Sequence, residues 1–550
     1  MEKLILLLFL IAPAFFFISA VSSAFAPGQK AKPIIQISLV AALFSVLASV
    51  TGAFFVANNG VFQSALWGFE GLGLSIRLDS ISLLMFGMIS ILSFVILKFS
   101  VNYLEGDERQ GLFIGRLSGT LSAVQLLVIS GNLFQLVLAW VVTSVMLHYL
   151  LVFYAERRGA QIAAKKKFIM ARLGDVSFIA AAYFLYESAG SGNLEEIFNW
   201  LKSTNVSSLV FTEFELPIML LLITAFLKSA QFPTHGWLVE VMETPTPVSA
   251  LLHAGLLNAG PFLVIRMAYL IEASAYASYI LLIVGALSAV FGSVVYMTQP
   301  SVKTALGYSS IAHMGFSFMV SGLGVFSASM LHLVGHSFYK AHAFLSSGSA
   351  IDLIRASRFK KVKGSLNFVK AISGVLAAIA VYSFTVFLFQ VDLTQQFALI
   401  ALGVVIILGL SRVFAETFSS GIKFGLIFQS LIMALTISFS FFFFESIMSH
   451  LITGQVPEVS GVSLGKYLTI GAIIAVFSLI VVLQMVAPRL RKRAFFLKLG
   501  IHLRNGLYAN VLFDRMIKAL SIESESYSFV IGKRVDMDTK QIEKEEMVLS

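Results

Sequence analysis

Apolar runs of roughly 20 residues, long enough as a helix to cross the hydrocarbon core of a bilayer, recur along this sequence from its first turn to residue 487. A bilayer is the natural solvent for such runs, and the chain is expected to lie mostly in the membrane. The runs fall at 4–25, 34–57, 80–103, 116–132, 133–154, 168–187, 216–232, 237–257, 261–297 (one span within a longer apolar stretch), 302–323, 325–350, 367–389, 396–413, 424–446 and 467–487. The expected fold class is an all-α polytopic membrane protein of about 14–15 transmembrane helices. With 58% hydrophobic and 12% charged residues, the composition lies outside that of soluble domains.

The net charge of +10 does not indicate nucleic acid, because the basic residues sit in short loops between apolar runs, where they set membrane orientation. Lys30 and Lys32, Arg157 and Arg158 with Lys165 to Lys167, and Arg355 to Lys363 all follow odd-numbered runs. Loops after even-numbered runs, such as 188–215 with Glu195 and Glu196, are neutral or acidic. The N-terminus is therefore expected outside and the C-terminus in the cytoplasm. The first run, Leu4 to Phe25, has features of a signal peptide, but its length and single preceding lysine favour a first span. With no cysteine, the chain offers no disulfide, iron–sulfur or thiolate metal site.

Charged residues inside spans cost about 2.5–3.5 kcal/mol each on insertion scales and mark ion or proton pathways. This chain concentrates them between residues 172 and 342. Lys228 follows the apolar run Pro217 to Leu227, and Pro233 interrupts the helix soon after. A broken helix exposes carbonyls and admits water at membrane depth, and a desolvated lysine can load and release a proton. Pairing with a buried carboxylate only to fix helix packing is the alternative. Glu243 then opens a segment with two prolines that ends on His253. His332, His336 and Lys340 are spaced i, i+4 and i+8, which puts them on one helix face. His-x-x-x-His can also grip a metal, but no acidic third ligand accompanies it on that helix, so a proton relay is the expectation and no metal or cofactor is assigned to this chain. Lys303 and His313, ten residues apart, extend the theme.

Four stretches resemble the proton-conducting core of the antiporter-like subunits of respiratory complex I and Mrp sodium/proton antiporters. They begin at Phe226 (FLKSAQFP), Thr244 (TPTPVSALLHA), Lys303 (KTALGYSS) and His332 (HLVGHSFYKA). Arg77-Leu-Asp79 and Arg172-Leu-Gly-Asp175 extend the likeness over residues 75 to 355. The resemblance implies two inverted five-helix repeats with discontinuous helices. It also implies a path through Lys228, His253, Lys303, His332, His336 and Lys340, supported by Arg172, Asp175, Pro233, Glu243 and His313. Two features depart from the pattern: Val141 follows Trp140 where complex I pumps carry a glutamate, and no lysine-bearing segment of the second repeat stands between residues 365 and 400.

A branch of this family fits better. Ile501 to Arg515, with Tyr508, Phe513 and Arg515 as candidate partner contacts, resembles the C-terminal pattern of DabB-type subunits. Those pair with DabA, a large cytoplasmic zinc protein of inorganic-carbon uptake. The resemblance implies a subunit in the bacterial cell inner membrane that couples proton or sodium flow to one-way hydration of carbon dioxide in that partner, with zinc in the partner alone. A pump module of complex I or an Mrp assembly is the alternative, and a membrane anchor that has lost conduction is a third reading. The expected division is 1–110 N-terminal helices, 111–355 ion-translocating core, 356–488 C-terminal helices and 489–550 cytoplasmic amphipathic helix and polar tail.

Overall fold

The computed structural model describes residues 2–28, 31–154, 156–204, 210–349, 368–391, 397–419, 424–458, 463–490 and 494–520. The basic stretches Arg355 to Lys363 and Arg491 to Arg493, Lys30 and the tail past 520 lie outside the described residues.

The chain opens with α1 (Glu2–Ser22) and α2 (Lys32–Asn59), followed by two small antiparallel pairs, β1 (Phe62–Gln63) with β4 (Arg77–Leu78) and β2 (Trp67–Phe69) with β3 (Leu72–Leu74). Helix α3 (Ser80–Tyr103) starts on Asp79, whose carboxylate accepts from the Ser82 N–H while the Asp79 N–H donates to Ser82 Oγ, a reciprocal cap for two otherwise unpaired donors. Helices α4 (Gln110–Val128), α5 (Leu133–Leu151) and α6 (Arg158–Ala189) follow, then the short α7 (Leu194–Ser203), which buries Leu194, Ile197, Phe198 and Leu201 at helical spacing. The next crossing is broken into α8 (Glu215–Lys228) and α9 (Gly236–Glu240). The one after is broken into α10 (Thr246–Ala254), a 3₁₀ turn (Leu256–Asn258) and α11 (Ala259–Arg266).

After α12 (Ala268–Ala273) come α13 (Ala277–Tyr296), α14 (Val302–Gly322) and α15 (Phe326–Leu345). Beyond residue 368 stand α16 (Phe368–Leu388), α17 (Phe397–Ser419), α18 (Phe424–Ile452) and α19 (Leu464–Leu490), then α20 (Ala494–Arg504) and α21 (Ala509–Leu520).

Among the described residues, 12 stretches are long and apolar enough to cross a membrane. Helices α8, α14 and α15 are not among them, being too short or too polar, and they carry Lys228, Lys303 with His313, and His332, His336 and Lys340. The expected spans at 237–257 and 261–297 are redrawn: one discontinuous crossing runs Thr246–Arg266, and α13 is a separate span. Two prolines early in that crossing, at 245 and 247, are accommodated because first-turn N–H groups have no intrahelical partner. Helix α6 starts ten residues before the expected 168, so Lys165 to Lys167 are helical rather than part of a loop.

Successive crossings alternate in direction. One face of the bundle gathers the hairpins, α7, α12 and the turn after α18, tied by Tyr269 Oη donating to Gly454 O (2.8 Å) and Gln455 Nε2 donating to Ser80 Oγ (3.1 Å). The opposite face carries the tail, where Gln299 Nε2 donates to Arg504 O (3.0 Å) and Lys166 Nζ to Asp514 Oδ1 (2.5 Å). The five crossings from α4 to α11 start from the tail face and the five from α13 start from the hairpin face, an inverted pair. Within the second set α13 and α14 lie backbone to backbone, and an added Cβ on Gly285 would lie 2.6 Å from Gly315 O. Small residues let these backbones touch, which is how helices gain contact where hydrophobic burial gives no drive.

Candidate functional site

The two helix breaks lean on each other. When α8 stops at Lys228, its neighbour Ser229 donates through Oγ to the Leu257 carbonyl (2.5 Å) in the 3₁₀ turn of the second broken crossing. Gln231 Nε2 donates to Ser229 O (2.8 Å) and Thr234 Oγ1 to Gln231 O (2.9 Å), so the interrupted backbone stays satisfied. Gly260 permits this approach, because a Cβ there would collide with Ser229 Oγ and the Ala225 carbonyl. Pro233 lies in the connection, but the helix has already ended five residues earlier, at Lys228.

Lys228 Nζ donates to Ser144 Oγ (2.6 Å) and to Trp140 O (3.3 Å), and stands 4.5 Å from the centre of the Trp140 ring. Trp140 is fixed edge-on by Phe178 at 5.2 Å. The acceptor on α5 is thus a serine one turn beyond Val141. Lys167, 4% exposed, donates to the carbonyl of the same Ser144 (2.7 Å). Two lysines therefore converge on one residue, and both line a cavity of about 20 Å³ with Trp237, Leu252 and Leu256, room for about one water. Asp175, buried beside them, pairs with Arg172 at 2.5 Å and acts through its charge on both lysines.

From there the polar groups continue into α14 and α15. His253 is fully buried, stacked on Phe344 at 4.4 Å, with Nδ1 2.8 Å from Ser310 Oγ. Ser310 Oγ also donates to Leu306 O (3.1 Å), and the same carbonyl accepts from the fully buried Lys340 Nζ (3.0 Å). His253 and Lys340 are thereby joined through a hydroxyl and a carbonyl. His313 stands 5.0 Å from His336 and 5.2 Å from His332, ring centre to ring centre. Neither ring nitrogen of the buried His336 has a partner among the described residues, an arrangement that costs about 1–3 kcal/mol per group. His313 and His332 form part of the wall of a cavity of about 470 Å³ with Ser293, Tyr296, Ser309 and Phe477.

The structure thus sets Lys228, His253, His313, His332, His336 and Lys340 along the broken crossings and α14 and α15 as one series, in which His253, His336 and Lys340 are buried and Lys228, His313 and His332 are partly buried. Lys303 does not join it: it lies in the first turn of α14 at the tail face. Glu243 ends a 3₁₀ turn (Val241–Glu243), and its side chain lies outside the described residues.

Sequence reasoning missed three features. The first is Lys167 with Ser144. The second is a buried charge cluster at the hairpin face: Arg266 donates to both oxygens of Asp79 (2.5 and 3.1 Å), Arg77 Nε to Asp79 Oδ2 (2.8 Å), and Arg77 Nη1 to Glu195 Oε2 (2.5 Å). Burial pushes the Asp79 carboxyl up, but the two guanidiniums and the Ser82 N–H outweigh it and hold the group below the usual carboxylate range. The third corrects the assignment of Phe513 as a partner contact. That side chain is 2% exposed, packed on Gly236, while Asp514 and Glu240 share Lys166, so α21 is docked on its own chain. Tyr508 and Arg515 are exposed.

The model of the family described as NADH:quinone oxidoreductase/Mrp antiporter matches residues 130–389, and that of the complex I chain 5 N-terminus matches residues 70–114. The "Probable inorganic carbon transporter subunit DabB2" of Halothiobacillus neapolitanus is 38% identical over 64% of this chain and 65% of its own length. NADH-quinone oxidoreductase subunit L of Campylobacter jejuni is 29% identical over 69% of this chain and 64% of its own. The chain spans less than two thirds of the length of each of these relatives. A solved structure of the Mrp complex from Dietzia sp. DQ12-45-1b superposes with a TM-score of 0.63 at 20% identity, over 99% of this chain and 63% of that one, a likeness of fold.

Proposed function

Since this chain belongs to the antiporter-like membrane subunit family of complex I and Mrp assemblies, we propose that it carries protons or sodium ions through the series of lysines and histidines from Lys228 to His332. We assign the flow to inorganic-carbon uptake: ion-motive force drives one-way hydration of carbon dioxide to bicarbonate in a cytoplasmic zinc protein of the DabA type, the zinc belonging to that partner. The observation that carries this reading is Lys228 at a helix break, its amine on Ser144 and Trp140 and no salt bridge made to it among the described residues. A single amine held by neutral groups can give up its proton to a neighbour, whereas a lysine locked to a carboxylate keeps it. The greater identity to a carbon-transporter subunit than to the complex I subunit supports the choice of partner. In this reading the tail face is cytoplasmic and the membrane is the bacterial inner membrane.

Lys228→Ala should abolish carbon-dependent growth at air-level carbon dioxide while the protein still assembles, and Lys228→Arg should fail too, because arginine stays charged at any accessible pH. Full growth of the alanine variant would sink the reading. A pump module of a complex I or Mrp assembly is the second reading, favoured by the fold likeness to the Mrp complex. Purification from native membranes separates the two: a zinc-bearing soluble partner supports the first, quinone-reductase or Mrp subunits the second.

A further inference from the structure

The C-terminal helices hold one buried carboxylate outside the series above. Glu445 lies about two turns inside the end of α18, is 9% exposed, and accepts a 2.8 Å hydrogen bond from Ser327 Oγ at the start of α15. No salt bridge reaches it among the described residues. It borders a cavity of about 400 Å³ closed by Gly324, Phe326, Leu399 and the turn from Thr453 to Pro457, with the exposed Glu458 at the rim and no lysine or arginine among the described lining residues. That turn is tied to α3 and α12 through Gln455 and Gly454, so the cavity opens on the hairpin face.

Beyond this cavity, fully buried Ser329 Oγ donates to Ser317 O (3.0 Å) and accepts from Ser321 Oγ (3.0 Å). His332 follows Ser329 by one turn of α15 and lines the 470 Å³ cavity on the far side. Hydroxyls on α14 and α15 therefore stand between a buried carboxylate at one mouth and the first histidine of the series.

We infer that Glu445 with Ser327 is the cation-binding site at the hairpin-face mouth of the path, taking a proton or a sodium ion that then passes by Ser321 and Ser329 to His332. A carboxylate with no cationic partner is costly at this depth, and binding a small monovalent cation removes that cost. The inference rests on the ion-carrying function proposed above.

The test uses vesicles holding the full chain and its partner, treated with dicyclohexylcarbodiimide. This reagent adds to a protonated carboxyl in apolar surroundings: the acid proton goes to a carbodiimide nitrogen, the carboxylate oxygen bonds the central carbon, and an O-to-N acyl shift leaves an N-acylurea with no atom lost. The expected result is that mass increment on Glu445. Protection by sodium at fixed pH identifies sodium as the ligand, protection by alkaline pH alone identifies the proton, and both support the site. No adduct on Glu445 while other carboxyls react overturns it. Glu445→Gln should lower ion flux about tenfold or more, with Glu445→Asp retaining part. Unchanged flux in Glu445→Gln, where Lys228→Ala has none, overturns the inference and spares the function. Flux insensitive to Lys228→Ala would sink the function instead, and the adduct on the parent protein then decides the site, as it does where a variant fails to fold.

Discussion

The crossings from α4 to α15 and those from α16 to α19 are built from similar apolar sequence but bury different things. The first set encloses Lys167, Asp175, His253, Arg266, His336 and Lys340, while among the described residues beyond 368 the only buried charged side chain is Glu445. The discontinuous crossing Thr246–Arg266 is 100% buried over its most apolar window, against 6% for Leu464–Leu483 in α19. Helices α8 and α10 to α11 are interrupted, and α16 runs unbroken over 21 residues. Breaks, buried charge and full enclosure occur together because each depends on the others: interrupted backbone and charged groups persist at membrane depth only where protein surrounds them. The second set faces outward over most of its surface and holds its one buried carboxylate among the described residues, Glu445, where it meets α15.

The strongest challenge to this contrast is to remove a charge from the enclosed set. Arg266→Ala would leave Asp79, fully buried, with Arg77 alone. Breaking a buried pair costs about 3–5 kcal/mol, and the remaining guanidinium keeps the expectation at the lower end, so a marked drop in thermal stability in detergent is expected. The sign with pH follows from the depressed Asp79 carboxyl: its contribution is full above the unfolded value of about 3.9 and lost as pH falls through the lower folded value. The margin of the parent over the variant should therefore be widest above about pH 4 and narrow as pH falls below it. A variant as stable as the parent at neutral and acid pH would mean that the cluster is no keystone of this region.

Lys167 sharpens the contrast at the level of function. Lys167→Gln keeps a donor for the Ser144 carbonyl but cannot carry a proton. If the two lysines on Ser144 exchange a proton in place of the absent carboxylate, ion flux should fall about a hundredfold with the protein intact. If Lys167 only satisfies the carbonyl, flux and its pH profile stay those of the parent.

Much of this was legible in the sequence. Lys228 stands out as one charge between an apolar run and a proline, and the spacing of His332, His336 and Lys340 places them on one face wherever a helix forms. Lys167 was hidden because it ends a run of three lysines after two arginines, which reads as an orienting loop. Once α6 extends over the run, the 100° turn per residue sends Lys166 to Glu240 and Asp514 at the surface and Lys167 inward to Ser144. Glu445 was hidden by a boundary, since an apolar run ending at 446 makes it an end-of-span anchor whereas α18 continues to Ile452. The pairing of Arg266 with Asp79 joins residues 187 apart, a contact that no local pattern encodes. Phe513 belongs to a stretch that resembles a partner-binding tail, and such a resemblance does not say what covers a side chain, here the chain's own Gly236.

The smallest effect is expected where the second set is most open. Leu468 and Leu479 on α19 are 67% and 58% exposed. Lipid tails are as apolar as leucine, so an exposed leucine there gains little from burial in the protein, and its replacement by alanine leaves no cavity for the protein to close around. Leu468→Ala and Leu479→Ala should each change stability by no more than about 0.5 kcal/mol and leave flux and partner recovery unaltered. The matched control is Leu257→Ala, at a fully buried position in the 3₁₀ turn between α10 and α11, where truncation should cost about 2–5 kcal/mol. Thermal unfolding of the three variants in one detergent gives the comparison directly. If an α19 variant instead lost as much as the Leu257 variant, or purified without its partner, that face would be a subunit interface, and the outward apolar surface of the second set would be a docking wall rather than a boundary with lipid.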